Sequence, residues 1–381
     1  MLSVCFIARN EEKNISRALA SVRGVAGEII VADTGSTDRT VELAKEAGAT
    51  VCHFPWCDDF SAARNFAISH ARGDWILWLD ADEELLPESA DELRSSLERT
   101  DALAYFIRRQ DLKDADRLDY HSMMWQLRLF RRRDDLRFQG RCHPDFRPEI
   151  EEIEAKTGQH ALFSSITIRH YGYIGALLPA KLRRAARLLE LELRERPGQL
   201  YYLVEYARTL AQLEDARWEN VLREAAAILL PLTRQEEPPT PVVSLLLEHL
   251  LSLPPAQLPP GFSPELLENL ALRWFPSSVP LLWLLARQAA SSEKFGEAEQ
   301  LLRRLVQMGK DHSYDQWVSF DPRLVGDDAK SNLGACLVRQ GKLEEALVIF
   351  RELLASPTQA EQARANVEAI EQFMRQSGVR R

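Results

Sequence analysis

Apolar and polar positions alternate in two distinct rhythms along this chain. Residues 2–8, 28–32, 50–54 and 74–79 form short apolar runs that predict strands. Between them, residues 11–22, 37–47 and 60–71 carry apolar positions at helical spacing, with Asp38 early in the second stretch and Gly48 just past its end. Strands alternating with helices predict βαβ units, right-handed crossovers and a mainly parallel sheet. From residue 102 the rhythm changes. Residues 102–108, 125–130, 136–140 and 165–170 predict shorter strands without intervening helices, an antiparallel extension of the sheet. Acidic residues 149–154 predict a solvated loop or a short helix.

Beyond about residue 178 the pattern is helical to the end, rich in Leu, Ala, Arg and Glu. Leu333, Gly334, Val338, Gly341, Ala346 and Phe350 fall at the offsets of a tetratricopeptide unit of about 34 residues. Leu282, Leu285, Ala286, Ala289, Ala298 and Leu302 form a weaker copy 48 residues earlier, which places the extra residues in 310–328. Residues 202–213 and 221–230 suggest a further degenerate pair, and proline-rich 236–241 and 253–260 read as connectors. The expected architecture is an α/β domain with a mixed, Rossmann-like sheet over residues 1–177, followed by an all-α tetratricopeptide-like domain over 178–381.

Composition narrows the function. The 381 residues are 45% hydrophobic and 28% charged, as in an ordinary soluble globular protein. A net charge of -9 argues against general nucleic-acid binding. The five cysteines, Cys5, Cys52, Cys57, Cys142 and Cys336, lack zinc-type spacing and suit buried thiols in a reducing compartment. The first strand begins without a charged leader, and no apolar run approaches the ~20 residues of a membrane span. A cytoplasmic location, with a peripheral contact at the inner membrane as an option, is the expectation.

Two acidic clusters carry the chemistry, each just after a predicted strand, where open α/β sheets bind ligands. Asp33 follows the second strand and is placed to accept from a nucleobase imide or a ribose hydroxyl. Asp80-Ala81-Asp82 follows the fourth. One of its carboxylates can face the ribose and the other a divalent cation bridging two phosphates, since Mg²⁺ is typically held by one or two carboxylates plus substrate phosphates. Glu83 and Glu84 read as the opening of the next helix. Ala8-Arg9-Asn10-Glu11 ends the first strand where a helix begins, with its free N–H groups and positive dipole end. Arg64 is placed to meet a phosphate or one of the carboxylates. His143, Asp145 and His170 lie toward the acceptor side; His170 can complete the metal or diphosphate site, and His143 or Asp145 can deprotonate an acceptor.

These stretches, together with Asp59-Phe60-Ser61-Ala62-Ala63-Arg64-Asn65 and His170-Tyr171-Gly172-Tyr173, resemble family 2 glycosyltransferases of the GT-A fold, in the right order over about residues 1–175. The helical tail resembles repeats appended to the SunS-type group. The resemblance implies a UDP-sugar donor, with Ala8, Arg9, Asn10, Glu11, Asp33, Arg64, Asp80 and Ala81 around the nucleotide and diphosphate. It implies Mg²⁺ or Mn²⁺ at Asp82 and His170, and inversion at the anomeric carbon in a single displacement. Relatives tend to show His-Glu where this chain has His143-Pro144-Asp145, so the acceptor base stays open between Asp145, His143 and Glu149. The expected acceptor is a protein, peptide or glycan bearing a hydroxyl or thiol, held by the repeats, which could also pair chains into a homo-oligomer. The competing reading is a degenerate transferase serving as a nucleotide-binding or protein-interaction scaffold.

Overall fold

The computed structural model describes residues 1–114, 116–172, 174 and 178–376. Tyr173 of the last motif and the expected domain boundary at 177 lie outside the described residues. Contacts divide the chain into two compact units, Met1–Leu222 and Arg223–Arg381.

The first unit contains β1 (Leu2–Ala8), α1 (Ile15–Val22), β2 (Glu28–Asp33), α2 (Thr40–Glu46), β3 (Thr50–His53), α3 (Phe60–Ser69) and β4 (Trp75–Trp78). It continues through β5 (Glu83–Leu85), α4 (Ala90–Glu98), β6 (Ala102–Leu112), β7 (His121–Arg131), α5 (Arg147–Thr157), β8 (His160–His170), α6 (Leu178–Glu195) and α7 (Leu200–Gln212). Its sheet has the order β3-β2-β1-β4-β7-β6-β8-β5. β1 to β4 are mutually parallel, β7 runs antiparallel to both β4 and β6, and β8 is parallel to β6.

Side-chain alternation explains why the sheet is covered on both faces. Leu2, Val4, Phe6 and Ala8 of β1, with Trp75 and Leu77 of β4, pack on Ile15, Leu19, Ala44 and Leu93 from α1, α2 and α4. Cys5, Ile76 and Trp78 point the other way, against Ala67 of α3 and Ile150 and Ile153 of α5.

The α/β architecture followed by a helical region is as expected, with local corrections. Residues 136–140 are not a strand; Gln139 makes only an isolated bridge to Asp145. Glu83 and Glu84 do not open a helix. They form the edge strand β5 on β8, because Glu83 is drawn under the sheet by buried arginines described below. The acidic segment 149–154 is helical, within α5, so β7 and β8 are separated by a helix after all. The extension is also mixed rather than antiparallel throughout, since β6 and β8 pair in parallel.

The division between units falls inside α8 (Trp218–Leu229). The second unit continues with α9 (Val243–Leu251), α10 (Pro264–Trp274), α11 (Val279–Ser291), α12 (Phe295–Asp311), α13 (Asp327–Arg339), α14 (Leu343–Glu352) and α15 (Ala360–Gln376). Leu282, Leu285 and Ala286 of α11 are buried, as are Ala298 and Leu302 of α12, at the positions the weaker repeat pattern picks out. The extra residues between repeats bury Val318 and Phe320 before α13. No helix among the described residues is long and apolar enough to cross a membrane.

Gly334 of α13 lets the Phe350 ring of α14 approach so closely that a Cβ there would stand 2.6 Å from it. Gly334→Val is expected to destabilise the helical unit by about 1–3 kcal/mol through overpacking. Urea unfolding followed by circular dichroism checks this, and an unchanged midpoint contradicts the packing.

Candidate active site at the carboxyl edge of the sheet

From β1 the chain winds one way through β2 to β3, then returns to lay β4 on the other side of β1. Ligand crevices in open α/β sheets form at such a reversal, outside the carboxyl ends of the strands. Residues 9–12 leave β1 at this point and residues 80–82 leave β4, while Asp33 ends the neighbouring β2.

The loop after β1 is tied to the loop after β2. Thr37 N donates to Asn10 Oδ1 at 2.8 Å, and Asn10 N to Ser36 Oγ at 3.0 Å. Glu11 N donates to Thr40 Oγ1 at 2.7 Å and Glu12 N to Asp38 Oδ2 at 3.2 Å. Asn10 sits at φ 56°, a left-handed conformation that Asn tolerates better than most residues. Asp38 also accepts from Thr40 N at 3.0 Å, so it ties the start of α2 to the neighbouring loop. Asp33 is almost wholly buried and accepts from Gly35 N at 3.2 Å, Ser36 N at 3.1 Å and His53 Nδ1 at 3.3 Å. Burial pushes its pKa up, but the hydrogen bonds from Ser36, His53 and Gly35 outweigh that and hold it below the usual value.

Beside β4 lies a buried ionic cluster. Asp80 Oδ1 is 3.3 Å from Arg64 Nη2 and Asp80 Oδ2 is 3.3 Å from Arg128 Nη2. Burial opposes its ionisation, yet Arg128 and Arg64 bring its pKa down to about 2. Arg64 therefore meets a carboxylate of this chain, its guanidinium lying over the Trp78 and Phe138 rings. Glu83, with 0% of its surface exposed, accepts from Asp80 N at 2.8 Å and from Arg128 Nη2 at 3.0 Å. Its pKa is raised chiefly by burial.

Asp82 is 8% exposed. Its Oδ1 stands 3.5 Å from His170 Nε2, and Lys181 Nζ donates to its Oδ2 at 2.8 Å. His170 Nδ1 is 2.7 Å from Asp111 Oδ1, and Asp111 in turn pairs with Arg109 Nε at 2.8 Å. An ionised carboxylate only accepts, so Nδ1 carries a proton and Nε2 is the atom presented to Asp82. Burial works against the charged imidazole, but Asp111 and Asp82 hold its pKa up to about 9. Gly172 lies against both groups, and a Cβ there would overlap His170 Nε2 and Asp82 Oδ2.

The donor set fits a divalent cation. A metal-ligating histidine usually gives its second ring N–H to a carboxylate, as His170 does to Asp111. Among the described residues no three His, Cys, Asp or Glu side chains converge as a complete metal site. An ion held by Asp82 and His170 would thus draw further oxygens from phosphate or water, the usual habit of Mg²⁺.

Residues 3–148 match the family described as Glycosyl transferase family 2. A TPR repeat-containing protein of Synechococcus elongatus is 39% identical over 256 residues, 66% of this chain and 61% of that protein. An uncharacterized glycosyltransferase of Rickettsia typhi is 45% identical over 92 residues, 24% of this chain and 31% of its own length. Glycosyltransferase SunS of Bacillus phage SPbeta is 28% identical over 224 residues, covering 55% and 49% respectively. The chain thus spans less than two thirds of the length of these curated relatives. Among solved structures, S. aureus TarS 1–349 in complex with UDP-GlcNAc aligns with a TM-score of 0.39 at 13% identity, covering 82% of this chain and 92% of that one.

The three acceptor-side candidates sit on or beside the loop after β7. His143 adopts φ 51° and is 3.8 Å from Glu205 on α7. Asp145 bridges Gln139 through its backbone and accepts from Phe146 N at 2.9 Å. Glu149, in the first turn of α5, accepts from the Gln139 side chain. The loop is anchored on α6, where Glu192 accepts from Arg141 N at 2.7 Å. Ala8 and Ala81 are buried beneath the edge, whereas Arg9 and Asn10 are exposed on it.

His170 and Lys181 lie beyond the family match, and four partners in the cluster escape a sequence reading: Arg109, Asp111, Arg128 and Lys181. Asp111 and Arg109 share one face of β6, and Arg128 lies on β7. Ionisable residues inside otherwise apolar strands were the available signal. Nothing in the sequence links Lys181 to Asp82, 99 positions away.

Two outcomes follow from the cluster. Arg128→Met leaves Glu83 and Asp80 without their shared cation and is expected to cost about 3–5 kcal/mol of stability in denaturant titration. The His170 pKa is raised from 6.5 to about 9, so its contribution is complete below about pH 6.5 and fades as the pH rises through about 9. Stability measured without divalent cations should fall across that window, and His170→Gln should flatten the fall.

Proposed function

We propose that the first unit transfers a sugar from a UDP-type nucleotide sugar to a hydroxyl or thiol, with inversion at the anomeric carbon. The observation that carries this reading is Asp82 beside His170 at the switch between β1 and β4, with the second His170 nitrogen held by Asp111. Asp33, ionised at the end of β2, accepts from the nucleobase or ribose. Arg9, Asn10 and Glu11 line the rim after β1, with Ala8 and Ala81 beneath. Asp80, neutralised by Arg64 and Arg128, shapes the turn that presents Asp82.

Asp82 and His170 would hold Mg²⁺ or Mn²⁺, which when bound supplies a Lewis acid to the departing diphosphate. In the transfer, the acceptor oxygen or sulfur forms a bond to the anomeric carbon while the bond to the diphosphate oxygen breaks. A base on the loop after β7 takes the acceptor proton; Asp145 is our choice, with His143 and Glu149 as alternatives. Residues 1–177 form the transferase domain on this reading. The repeats in 178–381 present a peptide, protein or glycan acceptor, and the protein works in the cytoplasm or at the inner face of the membrane.

Asp82→Asn should abolish turnover of UDP-sugars and remove metal-dependent UDP binding in calorimetry. Full metal-dependent hydrolysis by that variant contradicts the site; a wild-type chain that binds no UDP with Mn²⁺ is instead a scaffold. Asp145→Asn should leave donor binding intact and slow transfer about 10²–10⁴-fold. If Glu149→Gln or His143→Gln shows that split and Asp145→Asn does not, the base is reassigned.

A further inference from the structure

Lys181 stands in the first turn of α6, and its ammonium is not a bystander to the acidic edge. It donates to Asp82 Oδ2 at 2.8 Å and to the Gly172 carbonyl at 3.2 Å. The same Asp82 carboxylate faces His170 Nε2 with its other oxygen. A carboxylate and an imidazole hold a divalent ion best when the carboxylate charge is not already neutralised, and here one Asp82 oxygen already accepts from an ammonium. A divalent ion held by Asp82 would share that carboxylate with the ammonium, and repulsion between the two cations is large at the low effective dielectric of a nearly buried site. Lys181 and the metal therefore compete for one carboxylate. Lysine suits the part: it is a compact charge on a flexible four-carbon stem, about a third exposed here, and it can swing into water without unpacking the helix.

We propose that Lys181 is a resident counter-ion of Asp82 that a divalent cation must displace before it is held by Asp82 and His170. This rests on the assignment of that pair as the cation site. In the cation-free chain Lys181 gives this nearly buried carboxylate a closer cationic partner than His170 does, at 2.8 Å against 3.5 Å. On cation binding the ammonium is released, so affinity for the metal alone is weakened by the work of removing it.

The test is Mn²⁺ binding to the full chain without nucleotide, read from the free-ion EPR signal. Lys181→Met should bind Mn²⁺ about tenfold more tightly than the wild type, which corresponds to about 1.4 kcal/mol. Lys181→Arg, which keeps the charge, should stay within about threefold of the wild type. Circular dichroism verifies that each variant is folded, and Lys181→Ala replaces Lys181→Met if that variant is not. Equal or weaker binding by the uncharged variant, with binding still lost in Asp82→Asn, overturns competition while leaving the cation site standing. Wild-type affinity in Asp82→Asn overturns the cation site itself, and this inference with it.

Discussion

The acidic edge depends on a buried network of charges that no single element supplies. Glu83 is fully enclosed and Arg128 nearly so, and their contact at 3.0 Å joins the start of β5 to β7. Arg109 and Asp111 extend the network along β6, and His170 closes it from the end of β8. Desolvating so many charges is tolerable only because each finds an opposite partner; removing one strands another. The network thus does for the β4–β5 turn what an apolar core does for the sheet behind it. It fixes where Asp82 points.

This arrangement explains how acidic residues can be both structural and available. Asp80 is consumed by Arg64 and Arg128, and Glu83 by Arg128 and the Asp80 backbone. Asp82 is bound less completely, by a histidine whose far nitrogen is anchored and by a lysine on a mobile stem. Of the three neighbouring acids, it is the one paired with a partly exposed lysine rather than with buried arginines.

The loop after β7 follows a different logic. Its backbone is held by α6 through Arg141 and Glu192, and by the Gln139–Asp145 bridge. His143 is forced to positive φ within it, a conformation uncommon outside glycine. Helices that follow the sheet in sequence therefore shape the loop on which the acceptor base is proposed to lie.

The sequence by itself determined the alternation of strands and helices, because apolar periodicity is a local property that burial on two faces enforces. It also marked Asp33 and Asp80-Ala81-Asp82, since acids directly after apolar strands stand out whatever surrounds them. The helical tail was legible through small residues such as Gly334 and Ala346, which close packing requires. Tertiary structure decided the rest. Glu83 and Glu84 read as a helix start until buried arginines on other strands claimed the first and Arg169 and Tyr171 the second. Residues 136–140 carry strand-like composition but find only one bridging partner. Arg128, Asp111 and Lys181 acquire meaning only when three strands and a helix converge on Asp82, because ion pairing acts through space and leaves no period in the chain.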